Sequence, residues 1–215
     1  MARASLLLPL LALAAGCSQI EGVKGNGTIK SETRAVKAFQ RVEAGGAYNL
    51  TVEVGKPTRL ELRSDENLLP LVVTKVDGDR LTIRTIKNLR PTDGVKVTVA
   101  TPGLVGLSVG GAVKGTISGV QGQRFALKLS GAGSVDIEGQ AGELEVSLSG
   151  AGRVRARGLE AKKATVRSSG AGSVQVFASE SLDVNVSGVG SVTYFGKPQK
   201  VNRSVSGVGS IRAGD

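Results

Sequence analysis

Residues 129–154 read LSGAGSVDIEGQAGELEVSLSGAGRV and contain the motif Ser-Gly-Ala-Gly twice, 19 residues apart. With Ala or Val at its third position, the motif occurs five times, starting at Ser130, Ser149, Ser169, Ser187 and Ser206. The first glycines follow one another at spacings of 19, 20, 18 and 19 residues. Self-similarity with so regular a period indicates a stacked repeat architecture.

Apolar and polar residues alternate on both sides of each glycine pair, which is the period of a half-buried strand. A unit of this length cannot bury its strands alone, but stacked units pair their backbones and share one core. We therefore predict an all-β fold, a right-handed single-stranded parallel β-helix (β-solenoid), because parallel crossovers are right-handed. Its coils would contain about 19 residues each. A twisted antiparallel sandwich is the competing fold.

Aligning the glycines predicts which side chains lie above one another. The predicted inward column is Val135, Val154, Val174, Val192 and Ile211. On the outward side Asp136 is predicted beside Arg155, and Glu138 beside Arg157. Opposite charges in neighbouring coils would help to set the register. Continuing the alignment places Phe177 and Phe195 after Arg157, which predicts a cation–π contact and an aromatic pair.

The glycines of the five bends are predicted to have a structural role. A side chain there would collide with the adjoining coil or force a costly backbone conformation. The middle residue of each bend, Ala or Val, is predicted to point outward, where a small residue suits a tight bend or forms a flat docking surface. The predicted structural glycines are Gly131, Gly133, Gly150, Gly152, Gly170, Gly172, Gly188, Gly190, Gly207 and Gly209.

The first half of the chain alternates less regularly. Its strand candidates are residues 48–54, 58–63, 71–76, 80–86 and 95–100. Asp77-Gly78 between two of them is a hairpin signal. Paired glycines within 44–47 and 109–112 resemble the later bends. We therefore expect the first half to continue the coil with longer and less regular turns.

The N-terminus has the order of a secretory signal peptide: Arg3, an apolar run at 6–15, and small residues before Cys17. Cys17 is the one cysteine in the chain, and LALAAGC resembles a bacterial lipobox. We predict a signal peptide at 1–16, a lipidated cysteine and tether at 17–34, and the β-solenoid domain at 35–215. An ordinary signal peptide with a chance cysteine is the alternative. Because Ser18 follows the cysteine, we expect lipid anchoring at the outer membrane of the bacterial cell envelope.

Composition narrows the possible functions. The chain has no histidine, which excludes Ser-His-Asp and Cys-His nucleophile pairs and imidazole metal ligands, and we predict no cofactor and no metal site. Aromatic residues make up 3%, too few to favour stacking platforms for nucleic acid. The formal net charge of +10 favours anionic partners. We expect anionic glycan or lipid head groups, and self-association stays open.

The densest basic cluster is the best candidate for an anionic-ligand patch. The alternative is that these cations pair with Asp136 and Glu138 and are otherwise solvated. The predicted patch consists of Arg153, Arg155, Arg157, Lys162, Lys163 and Arg167.

An enzyme acting on acidic polysaccharide is the main alternative, since glycoside hydrolysis needs two carboxylates close together. The clustered acids within the repeats are Asp136, Glu138, Glu143 and Glu145. Two of these already have arginine neighbours in the predicted register. We therefore predict no catalytic residue and a non-enzymatic function.

The chain also resembles a known bacterial family, the "putative auto-transporter adhesin, head GIN domain" proteins. The resemblance covers about residues 22–215. It rests on GNGTIKSETRAVKAFQRVEAGGAYNLTVEVG (25–55), SDENLLPLV (64–72), the serial bends, VTYFGKP (192–198) and VSGVGSI (205–211). It implies an all-β, β-helix-like exported domain that often occurs on lipoproteins. Together with the residues, it predicts a surface or periplasmic module with a binding, adhesin-like or structural role.

Overall fold

A computed structural model describes residues 22–215 as an all-β protein with a large mixed sheet. The predicted signal peptide and Cys17 lie outside these residues. The first eight strands are β1 (Val23–Lys24), β2 (Ile29–Arg34), β3 (Arg41–Val54), β4 (Arg59–Asp65), β5 (Val72–Asp77), β6 (Arg80–Thr85), β7 (Leu89–Arg90) and β8 (Lys96–Thr101). The second eight are β9 (Gly106–Leu129), β10 (Ser134–Leu148), β11 (Arg153–Ser168), β12 (Ala171–Phe177), β13 (Ser181–Val186), β14 (Val189–Phe195), β15 (Lys200–Val205) and β16 (Val208–Ala213). A short 3-10 helix, Leu69–Leu71, lies between β4 and β5.

The five motif repeats pair with one another in parallel. We number them 1 to 5 from their first glycines, at residues 131, 150, 170, 188 and 207. β10 of repeat 1 pairs with β11 of repeat 2, which pairs with β12 and β13 of repeat 3. The same pattern continues through β14, β15 and β16. The inward column predicted from the sequence is confirmed by these pairings, and its first four members are buried: Val135, Val154, Val174 and Val192.

The outward rows agree with the predicted register at one position and depart from it at the next. Asp136 pairs with Arg155, as expected. Glu138 pairs with Gly158, so its predicted position beside Arg157 is wrong. Between these two pairs, one residue of β10 lies opposite two residues of β11, which is the arrangement of a β-bulge. The guanidinium carbon of Arg157 instead lies 4.1 Å from the centroid of the Phe195 ring, so the predicted cation–π contact is present.

The first half continues the parallel pairing only in part. β3 pairs in parallel with β6, β8 and β9, and Gly46 of β3 lies opposite Gly111 of β9. β4 pairs antiparallel with β2 and β8, and β5 and β6 form a hairpin around Asp77-Gly78. A wholly parallel arrangement is therefore wrong for this half. For β5 and β6 the reason is connection length, because a short turn can join antiparallel neighbours whereas a parallel pair needs a long crossover.

Residues 22–34, predicted as part of the tether, pack on the domain. β1 pairs with β7, and β2 pairs with β4 at one end of the large sheet, whose other end is β16. The buried carboxylate of Asp65 accepts hydrogen bonds from the backbone N–H of Gly27 and of Thr92, both at 2.8 Å. Asn67 Nδ2 donates to the carbonyl of Lys24 at 2.8 Å. The GNG and SDEN segments noted in the sequence therefore meet in space, and β2 covers a strand edge that would otherwise be unpaired.

Hydrophobic side chains from nearly every strand form one buried core inside the stack. Nowhere in residues 22–215 does the chain form a helix long and apolar enough to span a bilayer.

Candidate functional site

An ion cluster lies on the outward face of the strand segments that precede the bends. Glu145 of β10 accepts hydrogen bonds from Arg124 Nη2 at 2.8 Å and from Arg167 Nη1 at 2.9 Å. The two arginines lie on the neighbouring strands β9 and β11, and both side chains are more than 60% exposed. The hydrogen bond from Arg124 is the largest influence holding the pKa of Glu145 below its ordinary value. Glu145 is therefore ionised at neutral pH, which does not suit a general acid.

A shallow groove of about 320 Å³ contains this cluster. Its acidic lining residues are Glu143, Glu145 and Asp183, and its basic ones are Arg124, Lys163, Arg167 and Lys200. We call this groove, with its four cations and Glu145, the charged groove. Its exposed arginines and lysines can bind carboxylate or phosphate oxygens, and arginine can do so through two parallel hydrogen bonds.

The six residues of the predicted basic patch do not share one groove. Lys163 and Arg167 line the charged groove. Arg153 lines a shallow depression beside the glycine bends, and Lys162 lines a separate groove at a corner of the repeats. Arg155 is bound to Asp136, and Arg157 lies on the ring of Phe195. The patch is therefore distributed over several surfaces.

Two cations of the charged groove, Arg124 and Lys200, are not part of the predicted patch, because they lie on β9 and β15 whereas the patch lies on β11. They nonetheless belong to one row of the register. Strand pairing places in that row Arg124, Glu143, Lys163, Ser181 and Lys200. Counting along the repeats from the bend glycines would have found this row, since each member lies seven residues before the first glycine of its bend.

The bend glycines lie directly against the preceding repeat. None of the ten predicted structural glycines has a positive φ. A Cβ atom added at Gly170 or Gly172 would lie within 3.0 Å of the backbone carbonyl of Gly150 or Gly152, respectively, closer than real Cβ contacts. All ten positions meet an atom of an earlier repeat, or of the β9 strand before repeat 1, in this way. The restriction there is therefore steric and acts along the stacking direction.

The middle residues of the bends are exposed, as predicted from parity. Ala132, Ala151 and Ala171 are followed in the row by Val189 and Val208, which are 62% and 79% exposed. The row is therefore small and apolar, with its largest exposed side chains near the β16 end. Because these residues point outward, their short side chains are accommodated at the tight bends.

Two of the four clustered acids, Asp136 and Glu145, are held in ion pairs with arginines. Asp136 is bound by Arg155, and Glu145 is bound by Arg124 and Arg167. Over residues 22–215, no three His, Cys, Asp or Glu side chains group in a way that could hold a metal ion.

The chain is similar to known proteins in both sequence and fold. A family model described as "Putative auto-transporter adhesin, head GIN domain" matches residues 38–198. No curated protein gives a significant match. A solved structure described as a putative adhesin from Bacteroides fragilis NCTC 9343 is 27% identical, with a TM-score of 0.75, covering 89% of this chain and 100% of that chain.

Two more distant structures agree in fold. A protein described as a putative lipid binding protein, from Parabacteroides distasonis ATCC 8503, is 24% identical with a TM-score of 0.61, covering 91% of this chain and 100% of that chain. A putative adhesin from Parabacteroides merdae ATCC 43184 is 18% identical with a TM-score of 0.55, covering 90% of this chain and 99% of that chain. At these identities the likeness concerns the fold alone.

Proposed function

This chain belongs to the putative auto-transporter adhesin, head GIN domain family, and from that membership we propose that it is a non-enzymatic, lipid-anchored binding module of the bacterial cell envelope. The family model and two of the three structures above are described as putative adhesins, and the third as a putative lipid binding protein; none of these descriptions names an enzyme. The ion pairs of Asp136 and Glu145 also support a non-enzymatic function over a glycosidase, because a glycosidase needs one carboxyl group free to donate a proton.

We further infer that the repeats form a right-handed parallel β-solenoid. The in-register parallel pairing from β9 to β16 supports this inference. In such a stack each repeat contacts mainly its neighbours, and outward side chains recur at about 4.8 Å along each row. Rows of this kind offer a repeating ligand a repeating set of contacts.

The proposed anchor is a lipid on Cys17, after removal of residues 1–16, and the proposed location is the outer membrane. The order of the strands in the large sheet supports an arrangement in which the N-terminal strands lie nearest the lipid. β2 lies at one end of the large sheet and β16 at the other, so a chain that enters at residue 22 reaches the β2 end first. The motif repeats would then project away from the lipid.

We propose that the charged groove binds an anionic ligand, either a glycan or a lipid head group. Arg124, Lys163 and Lys200 lie in one row that crosses five successive strands, and Arg167 lies beside them. Glu145 holds the guanidinium groups of Arg124 and Arg167 in place. These side chains therefore lose little conformational entropy when a ligand binds to them. A polymer with regularly spaced negative charges would contact several cations of this row at once.

The test uses the full-length chain in a zwitterionic detergent with polygalacturonate as the acidic polymer and dextran as the neutral one. A parallel arm uses vesicles with or without phosphatidylglycerol. We expect binding to the anionic probes that weakens as salt rises, because charges exposed to solvent are screened. The double variant Lys163→Glu and Arg167→Glu should abolish it, whereas Arg153→Glu, on the same strand but outside the groove, should retain most of it.

Salt-independent binding, or equal loss in the Arg153→Glu control, would contradict the charged groove. The polygalacturonate samples also test the enzymatic alternative, because shortening of the polymer with time would contradict a non-enzymatic module.

A further inference from the structure

A second groove, with a volume of about 780 Å³, lies at the corner where the repeats turn between their two longer strand segments. We call it the corner groove. Its polar, charged and aromatic lining residues are Gln121, Gln123, Gln140, Glu160, Lys162, Phe177 and Ser179. Gly122 and Gly142 also line it, so its floor is made partly of bare backbone.

The corner groove arises from a difference in length between neighbouring repeats. Repeats 2 and 3 pair at Ala156 with Val176 and again at Lys163 with Ser181. Between these pairs repeat 2 has six residues, 157–162, and repeat 3 has four, 177–180. The chain of repeat 2 therefore takes a wider path at the corner than that of repeat 3. Phe177, which lies at this step, is only partly buried and lines the groove.

Phe177 is exceptional among the aromatic residues of this chain. There are six aromatic side chains, and five are buried: Phe39, Tyr48, Phe125, Tyr194 and Phe195. Phe177 alone among them is only partly buried, and it lines the corner groove. Burying a phenylalanine would be favourable, so the partly exposed ring leaves apolar area available to a ligand.

The ring of Phe177 is supported from the next repeat. Phe177 pairs in register with Phe195, which is itself covered by Arg157. Gly196 follows with φ of +87°, and a Cβ there would lie 3.3 Å from Phe177 Cε2. The ring therefore rests on a packed layer. A rigid aromatic surface loses little conformational entropy when a ligand binds to it.

The polar lining is suited to hydroxyl groups. The side chains of Gln121, Gln123, Gln140 and Glu160 are exposed, and none has a hydrogen-bond partner within residues 22–215. Each amide has two N–H donors and a carbonyl acceptor, and the carboxylate of Glu160 accepts only. Together they offer both kinds of hydrogen bond along one groove beside the partly exposed ring.

We propose that the corner groove binds a neutral oligosaccharide. The C–H face of one sugar ring packs on Phe177, while its neighbours exchange hydrogen bonds with Gln123, Gln140 and Glu160. Glu160 is the one carboxylate in the lining, and hydrolysis of a glycosidic bond ordinarily uses two, so the groove binds without cleaving. This site is separate from the charged groove and takes an uncharged ligand, so it goes beyond the function proposed above.

The experiment measures binding of maltohexaose, cellohexaose and chitohexaose to the full-length chain by titration calorimetry. The protein is kept in a zwitterionic detergent without a sugar head group, because a glycosidic detergent would compete. We expect at least one oligosaccharide to bind with an affinity that changes little between low and high salt. Phe177→Ala should weaken that binding about tenfold through loss of the ring contact.

Two further variants keep the test decisive if Phe177→Ala disturbs the packing on Phe195. Gln140→Ala removes only an exposed amide from the groove and should weaken binding while leaving the unfolding temperature unchanged. Asn185→Ala removes an exposed amide from another surface and should have no effect. The absence of binding for all three sugars at millimolar concentration would overturn the proposal. So would binding that survives both groove variants, or binding abolished by Lys163→Glu with Arg167→Glu, which would assign the sugar to the charged groove.

Discussion

The guanidinium of Arg155 binds the carboxylate of Asp136, one repeat earlier, through both Nε and Nη2, with Nη2 2.6 Å from Oδ2. The two residues are register partners on parallel strands. Hydrogen bonding to Asp136 raises the pKa of Arg155, so the guanidinium is charged at neutral pH. Two residues further along, the bulge separates Glu138 from Arg157, so the two pairs provide a direct comparison.

A double-mutant cycle should distinguish these pairs. For Asp136→Asn and Arg155→Gln we expect a coupling free energy of less than about 1 kcal/mol, because both side chains are partly exposed, and a smaller one in high salt. For Glu138→Gln and Arg157→Gln we expect no coupling, since Glu138 lies opposite Gly158. Urea unfolding of each single and double variant gives both values. Equal coupling in the two cycles would mean that the bulge is misplaced.

Replacing a bend glycine should destabilise the stack. Gly170→Val and Gly172→Val each place a Cβ against a carbonyl of repeat 2, and backbone atoms there cannot move without breaking the strand pairing. We expect a loss of about 1–3 kcal/mol for each in thermal or urea unfolding. Ala171→Ser is the matched control, because residue 171 is exposed at the same bend. If Ala171→Ser lowers the stability while Gly170→Val and Gly172→Val do not, the inward and outward positions have been assigned the wrong way round.

Acid should weaken the attachment of the N-terminal segment through Asp65. Hydrogen bonds from the backbone N–H and hydroxyl of Thr92, with a further one from Gly27, lower the pKa of Asp65 in the folded state. A lowered folded pKa contributes stability above the unfolded value of about 3.9, and this contribution is lost as pH falls through the folded pKa. Asp65→Asn should therefore be less stable than the native chain at pH 7, with the difference shrinking below about pH 4.

The measurement is the urea midpoint of both proteins from neutral to acid pH, with Asp93→Asn as a control for a more exposed carboxylate that also has a lowered pKa. A constant difference between the native chain and Asp65→Asn at every pH would show that the carboxylate charge is not what holds residue 27 and residue 92 together.

Lipidation is tested at Cys17, which lies outside the described residues. Cys17→Ser should abolish incorporation of labelled palmitate and leave an unprocessed precursor, because the thiol is the acceptor in the predicted lipobox. Ser18→Asp should retain the label and, if the proposed sorting holds, shift the protein from the outer to the inner membrane fraction. Labelling that persists in Cys17→Ser would refute the anchor.

Much of the repeat region follows from the sequence alone. Alternation is a property of neighbours along the chain, so it already separates Val135 and Val154, which are buried, from Asp136 and Arg155, which face outward. The recurring glycines then set the register, because a side chain at these positions would collide with the backbone of the preceding bend. The match to the adhesin-head family is likewise carried by ordered sequence landmarks.

Tertiary structure alone decided where that regularity ends. The spacings of 20 and 18 residues are visible in the sequence, but the positions of the bulge beside Glu138 and of the step beside Phe177 depend on how each repeat accommodates its surplus residues against its neighbour. The antiparallel strands β2 and β4 and the contacts of Asp65 depend on pairing between segments far apart in the chain. Local patterning determines which face of a strand is buried, whereas the choice of neighbouring strand depends on which edges are free once the rest of the sheet has formed.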